Sequence, residues 1–401
     1  MQISAESPPA RAVNPAQPER PASWRARLTQ NARRLAGVDL GLGLRLAAVC
    51  LLWTLIQPPP LLVTPGPPQA VATTQPLLAV HTRLTDEVEP WKIQRTLQLV
   101  REMGASRIVE FFPWAYYEPQ PGLFAWEHPD LVMAHAQANG LQVIARLGLT
   151  PEWARPPETT LTYLDRPAYE HFAAFAAAFA ARYRGQVTHI IVGNEPNLNY
   201  EWGYRATTPA DYAALLAAVY PAVKAANPEA QVLAGALAPT LEPPGSVWGL
   251  NELDYLAALY AAGSAEFFDA LAVHTYGFTF PPQAEPSPDL LNFRRVELLR
   301  AVMAANADAA TPIFITETGY NDHPRWTRAV TPGQRIQYTL DSLAYAETHW
   351  PYVQMVAIWA FRYPAPTHSY SDYFTLVTPE FVLKPIYHAL KQATGNEPSQ
   401  P

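Results

Sequence analysis

Beyond residue 76 the chain alternates short apolar runs with longer segments whose apolar side chains recur every three or four positions. The short runs cover 77–83, 107–112, 141–147, 190–192, 231–237, 270–276, 312–315 and 355–361. Bounded by glycine, proline or charge, runs of this length read as buried strands. The segments between them read as helices. In 90–103, Ile93, Leu97, Val100 and Met103 form one stripe and Gly104 is the stop signal. A second helix, 127–139, ends at Gly140, and a third, 167–184, aligns Phe172, Phe175, Phe179 and Tyr183 before Gly185. Thr208-Pro209 reads as an N-cap with proline at the first helical position. Thr331-Pro332-Gly333-Gln334 reads as a capping box, and 385–392 as a closing helix. Eight strand–helix units over about 320 residues predict an α/β fold, a (β/α)8 TIM barrel spanning 77–395. An open doubly wound sheet would carry a glycine-rich dinucleotide loop after its first strand, and the sequence has none.

The first quarter of the chain follows a different pattern. Residues 1–37 are rich in Pro, Ala and Arg without a hydrophobic period and are expected to be a disordered basic tail. Residues 38–57 contain the only long apolar stretch, interrupted by Arg45, and are expected to form a single-pass signal-anchor. The Arg-rich leader then fits a cytoplasmic N-terminus, placing the barrel outside the cell at its membrane. The competing expectation is a cleaved signal peptide with Ala70-Val71-Ala72 as its cleavage site, and so a secreted barrel. Residues 58–76 read as a proline-rich spacer, and 396–401 as a short tail.

Charge sharpens this division. The 401-residue chain carries −7, but residues 1–45 hold seven Arg against Glu6, Glu19 and Asp39, or +4, which leaves −11 on the rest. An acidic body argues against a nucleic-acid partner, which would need clustered Lys and Arg. Cys50 is the only cysteine, so no intramolecular disulfide can form. Neither zinc-ligand spacing nor a phosphate loop occurs, so no metal and no cofactor is expected.

Two of the apolar runs end in the same way. Ile190-Ile191-Val192-Gly193 gives way to Asn194-Glu195-Pro196, and Pro312-Ile313-Phe314-Ile315 to Thr316-Glu317-Thr318-Gly319. In a barrel of parallel strands the carboxyl ends carry catalysis. Two carboxylates converging there suit hydrolysis of a glycosidic bond.

With these residues at the ends of strands four and seven, the chain resembles glycoside hydrolase clan A, and within it the family 39 and family 5 type enzymes. Supporting pieces are Trp114-Ala115-Tyr116-Tyr117-Glu118-Pro119 after strand two, Pro151-Glu152-Trp153 after strand three, His274-Thr275-Tyr276 ending strand six, and Trp359 on strand eight. The resemblance covers roughly 77–395 and implies a retaining hydrolase acting on an oligosaccharide, polysaccharide or glycoside. It implies Glu195 as acid and base, and Glu317 as nucleophile. It further implies that Asn194 binds the sugar 2-hydroxyl, that Tyr276 donates to the nucleophile and that His274 lines the cleft. Trp359, Trp153 and Trp114 become candidate stacking platforms, and Asp322, His323 and Trp326 could border the entrance. One position departs from the pattern. The strand-two Arg found in many clan members is Val109 here, and Arg107, on the same strand face, and Arg146, on strand three, are the candidates to replace it. Two other readings keep the same residues: a membrane-tethered carbohydrate-binding or sensory module, and a transglycosylase. The sequence leaves the oligomeric state open.

Overall fold

The computed structural model describes residues 41–52 and 63–395. The chain divides after Leu62 into two units. Of the first, the described part is a helix over 41–52, α1. Among the described residues no helix is long and apolar enough to cross a membrane. This corrects the expected single-pass anchor, and the placement of the barrel outside a membrane falls with it. Gly41, Gly43 and Arg45 interrupt the apolar run within this helix, which is the physical reason it reads weaker than its leucine content suggests. The rest of 38–57 and the basic tail 1–37 lie outside the described residues, as does 396–401.

The second unit is a closed barrel of eight parallel strands in sequence order. They are β1 Leu78–His81, β2 Arg107–Pro113, β3 Gln142–Gly148, β4 Val187–Val192, β5 Gln231–Leu237, β6 Ala270–His274, β7 Ile313–Thr318 and β8 Val353–Ile358. Each is flanked by helix: α2 Pro90–Met103, the single turn α3 Trp114–Tyr117, α4 Glu127–Ala138, α5 Tyr169–Arg182, α6 Pro209–Ala226, α7 Glu252–Ala261, α8 Val296–Ala305, α9 Pro332–His349 and α10 Pro385–Ala393. The Thr331–Gln334 capping box forms as expected at the start of α9. Thr208 is the N-cap residue of α6, but its hydroxyl turns to Ala206 instead of capping the helix.

Side chains divide between two cores, as period-2 alternation requires. Ala79, Val109, Ile144, Ile191, Leu233, Ala272, Phe314 and Met355 pack inside the barrel. The intervening strand residues face the helices in a larger shell that includes Phe112, Phe172, Phe175 and Phe179. The segment 63–76, expected as a free spacer, is part of this unit. Gln69 N–H donates to the Ala138 carbonyl at 2.8 Å, Thr74 N–H to that of Thr394 at 3.2 Å, and Val71 packs against the core. A cleavage site at 70–72 would therefore cut a segment built into the fold.

Candidate active site

The polar residues cluster where the inner row of each strand runs out. On β1 the row is Ala79 then His81, on β3 Ile144 then Arg146, on β6 Ala272 then His274, and on β8 Ala357 then Trp359. Each step is two residues, so each polar side chain caps the apolar filling from the carboxyl end. Two strands reach the same place through irregular pairing. Strict alternation from Phe314 would send Thr316 inward. The β7–β8 ladder instead shifts register between Ile315 and Thr318, and Glu317 pairs with His274. On β5 a bulge between Gly235 and Leu237 holds Ala236 at φ 54°, and its carbonyl receives the Glu195 N–H at 3.1 Å. Glu195 itself has φ 41°. Bulges of this kind re-aim groups beside active sites.

Glu317 is buried and surrounded by donors. Arg146 Nη1 donates to its Oε1 at 3.0 Å and the Tyr276 hydroxyl to its Oε2 at 2.9 Å. The same Arg146 nitrogen donates to Asn194 Oδ1 at 2.6 Å, tying the amide to the carboxylate. Glu195 is the more open of the two carboxylates, its side chain 16% exposed against 9% for Glu317. His274 bridges them: Nδ1 donates to Glu195 Oε1 at 2.7 Å and lies 3.5 Å from Glu317 Oε2. His81 Nε2, buried and without a hydrogen-bond partner, faces Glu317 Oε1 at 3.7 Å.

Burial and charge set the protonation of these groups. Burial holds His81 well below the ordinary imidazole range, and the Arg146 charge adds to this, so the ring is neutral. Burial alone would also lower His274, but Glu317 and the hydrogen bond to Glu195 outweigh it, and the net shift is upward. Burial raises Tyr276 well above its usual value, and the Glu317 charge raises it further, which fixes the phenol as a donor.

Most of the expected site residues meet here: Glu195, Glu317, Asn194, His274, Tyr276, Arg146 and Trp359, the last edge-on to His81 at 4.5 Å. Of the two candidate arginines, Arg146 is the one at the carboxylates. Arg107 starts β2 and donates to the Gln354 carbonyl at the opposite mouth. Two tryptophans are corrected. Trp114 is fully buried in the outer shell, stacked on Phe175 and edge-on to Phe172, with Nε1 on Glu118. Trp153 packs against Trp114 and His171 and donates to the Glu118 carbonyl. A tryptophan after a barrel strand serves the helix shell as readily as the cleft, and sequence cannot separate the two. Trp326 stacks on Tyr370 at 4.7 Å and meets Phe278 and Phe374 in an aromatic rim.

His81 and Glu201 are the additions. His81 had a signal, because Leu-Ala-Val-His ends both β1 and β6. Glu201, in a 3-10 turn over Tyr200–Trp202, had none beyond its closeness to Glu195. Burial and the negative charge of Glu195 push its carboxyl up to about 7, while the Arg146 charge opposes the rise.

Glu195, His274 and Glu317 are the one group of potential ligands among the described residues with donor atoms all within 4.8 Å of one another. The Arg146 guanidinium already neutralises Glu317 at that spot, and a second cation beside it would be repelled. The arrangement therefore favours hydrogen-bonded carboxylates over a metal centre.

No family model matches this chain, and no curated protein resembles it in sequence. Solved structures do resemble it. A family 39 glycoside hydrolase from Bacteroides cellulosilyticus superposes over 82% of this chain and 65% of its own, at 22% identity and a TM-score of 0.64. A β-xylosidase from Caulobacter crescentus matches over 80% of this chain and 69% of its own, at 22% identity and 0.56. A glycoside hydrolase of family 5, subfamily 18, from Streptomyces cattleya, solved with GlcNAc, matches over 80% of each at 17% identity and 0.59. The chain spans less than two thirds of the first of these. The structural neighbours are thus glycoside hydrolases of families 39 and 5 in clan A, and at these identities the likeness is one of barrel fold.

Proposed function

We propose that the chain is a retaining glycoside hydrolase that cleaves β-linked saccharides through a glycosyl-enzyme intermediate. The observation that carries the reading is the meeting of Glu195 and Glu317 at one mouth of the barrel, one oxygen of each within 4.8 Å of the other. Retaining pairs stand ~5–5.5 Å apart, whereas inverting pairs leave ~6.5–9.5 Å for a water. The neighbours of families 39 and 5 support the same class.

The surroundings support one assignment of roles. Glu317 is held by a cation and a phenol, both of which stabilise its charged form, so it is the nucleophile. Its attack on the anomeric carbon forms the glycosyl ester and expels the leaving oxygen. Glu195 gives that oxygen its proton and then takes one from the water that cleaves the ester. His274 donates to Oε1 of Glu195, which leaves Oε2 to carry the proton. With Oδ1 on Arg146, Asn194 has its amide N–H groups free for a sugar hydroxyl.

A panel of aryl β-glycosides tests the reading. Hydrolysis of at least one is expected, with a collapse of turnover in Glu317→Ala. In Glu195→Ala, azide should restore turnover on an activated aryl glycoside and give the β-azide. An α-azide from Glu195→Ala, or near-unaltered rates in both variants, overturns the assignment.

A further inference from the structure

Two helices begin at one cavity. α9 starts at Pro332 and α10 at Pro385, and both prolines border a space of about 80 Å³. Asp322, Arg335, Lys384 and Ile386 line it as well. A helix that follows a barrel strand turns its N-terminus toward the carboxyl mouth, so two positive dipole ends meet here. The capping box closes α9. α10 has Lys384 at its N-cap position and no side-chain cap, so no side chain accepts from its first N–H groups.

The two cations of this cavity have donors to spare. Arg335 is buried. Its Nη2 donates to the carbonyls of Phe374 at 2.6 Å and Thr375 at 3.0 Å, and Nη1 reaches the Asp322 carboxylate at 3.3 Å. Its Nε, buried with the rest of the group, has no hydrogen-bond partner. Lys384 Nζ donates to the Asp372 carbonyl at 2.6 Å and to Thr375 Oγ1 at 2.7 Å. Both acceptors are neutral, and an ammonium has a third N–H to give. The Asp372 carboxylate accepts instead from the N–H groups of Thr367 and His368. Two cations, Arg335 and Lys384, thus face the cavity against one anion, Asp322. Burial, with the Arg335 charge added, lowers the Lys384 ammonium to about 8.

We propose that this cavity binds a small oxyanion, a phosphate or sulfate group, between Lys384, Arg335 and the N-terminus of α10. Such an anion would cancel the excess positive charge and accept the donors left over, the arrangement in which helix N-termini and basic side chains hold phosphate. A single water takes roughly 10–15 Å³ of such a space, so the volume suits one tetrahedral group and is too small for a nucleotide or an oligosaccharide. A glycosidase and a non-catalytic barrel would carry this site alike.

Calorimetric titration of the full chain with sodium sulfate and sodium phosphate, at constant ionic strength, tests the site. About one anion per chain should bind, with a Kd of about 1 mM or tighter. Sulfate keeps one charge through the neutral and alkaline range, and so do Arg335, Asp322 and Asp372, which surround Lys384. Its affinity should therefore fall about tenfold between about pH 7 and 9, as Lys384 loses its proton. Lys384→Met, with thermal unfolding to check the fold, should weaken sulfate binding at least about tenfold at neutral pH. Lys384→Arg should keep the binding and lose the alkaline fall, because its charge persists. Methyl phosphate separates two sources of the ligand: binding as tight as inorganic phosphate points to a phosphate ester, and binding of the inorganic ion alone to a free anion. Lack of saturable binding by any of the three overturns the proposal. So does equal affinity in wild type and a folded Lys384→Met, or a wild-type affinity that stays level from neutral to alkaline pH.

Discussion

Glu195 and Glu317 are the same chemical group in two environments, and the difference lies in who donates to them. Glu317 takes a charged hydrogen bond from Arg146 and a neutral one from Tyr276, whereas Glu195 takes one from His274 and keeps its other oxygen free. The two donors on Glu317 should therefore differ in weight. A hydrogen bond to a charged group contributes about 1.5–3 kcal/mol, so Tyr276→Phe should lower kcat/KM by roughly ten- to a hundredfold. Arg146→Met removes the guanidinium from the nucleophile and also frees Asn194, so its loss should be larger, on the order of 10²–10³. Arg146→Lys restores the charge without the second contact and should fall between them. Steady-state kinetics on an activated aryl glycoside would measure the three, and an Arg146→Met enzyme within threefold of wild type would remove Arg146 from the mechanism. At this scale the sequence is legible where a residue type has one use at a strand end, as for the two glutamates. It is not legible for tryptophan: Trp114 and Trp359 stand in similar sequence settings, yet one fills the helix shell and the other edges His81.

At the scale of single elements, the strands were readable because a strand buried on both faces is nearly continuous in apolar residues. Their irregularities were not. The shift on β7 that turns Glu317 inward leaves no mark in composition, because Ile-Thr-Glu-Thr fits either register. The bulge on β5 left one mark, Gly235. It has φ 95°, and an added β-carbon would meet the Ala272 carbonyl at 2.7 Å, against the backbone of β6. That carbonyl cannot swing away as a flexible side chain could. Gly235→Ala should therefore cost about 2 kcal/mol of stability through left-handed strain and the clash. It should also lower kcat, because the bulge presents the Ala236 carbonyl that fixes the Glu195 backbone. Denaturant unfolding and kinetics on the same preparation would test this. A variant as stable and as active as wild type would mean that the bulge is incidental to the site.

For the whole molecule, what matters is where the folded unit begins. A break in hydrophobic pattern at residue 77 makes 58–76 read as spacer, because proline-rich segments make few hydrogen bonds of their own. Here the segment borrows partners from the barrel. Gln69 and Thr74 use carbonyls at the ends of α4 and α10, Gln94 of α2 donates to the Thr64 carbonyl at 3.0 Å, and Val71 packs against the core. Helix ends expose carbonyls that need donors, so these bonds satisfy groups the barrel would otherwise leave to water. The compact unit accordingly starts at Val63. A 63–401 fragment should unfold at the same denaturant concentration as the full chain. A 77–401 fragment loses those hydrogen bonds, each of about 1 kcal/mol, together with the apolar cover from Val71. It should be less stable by roughly 3–4 kcal/mol, with the exposed lower ends of α4 and α10 exchanging their amide protons faster. Equal midpoints for the two fragments would show that 63–76 rests on the barrel without stabilising it, and would return the boundary to residue 77.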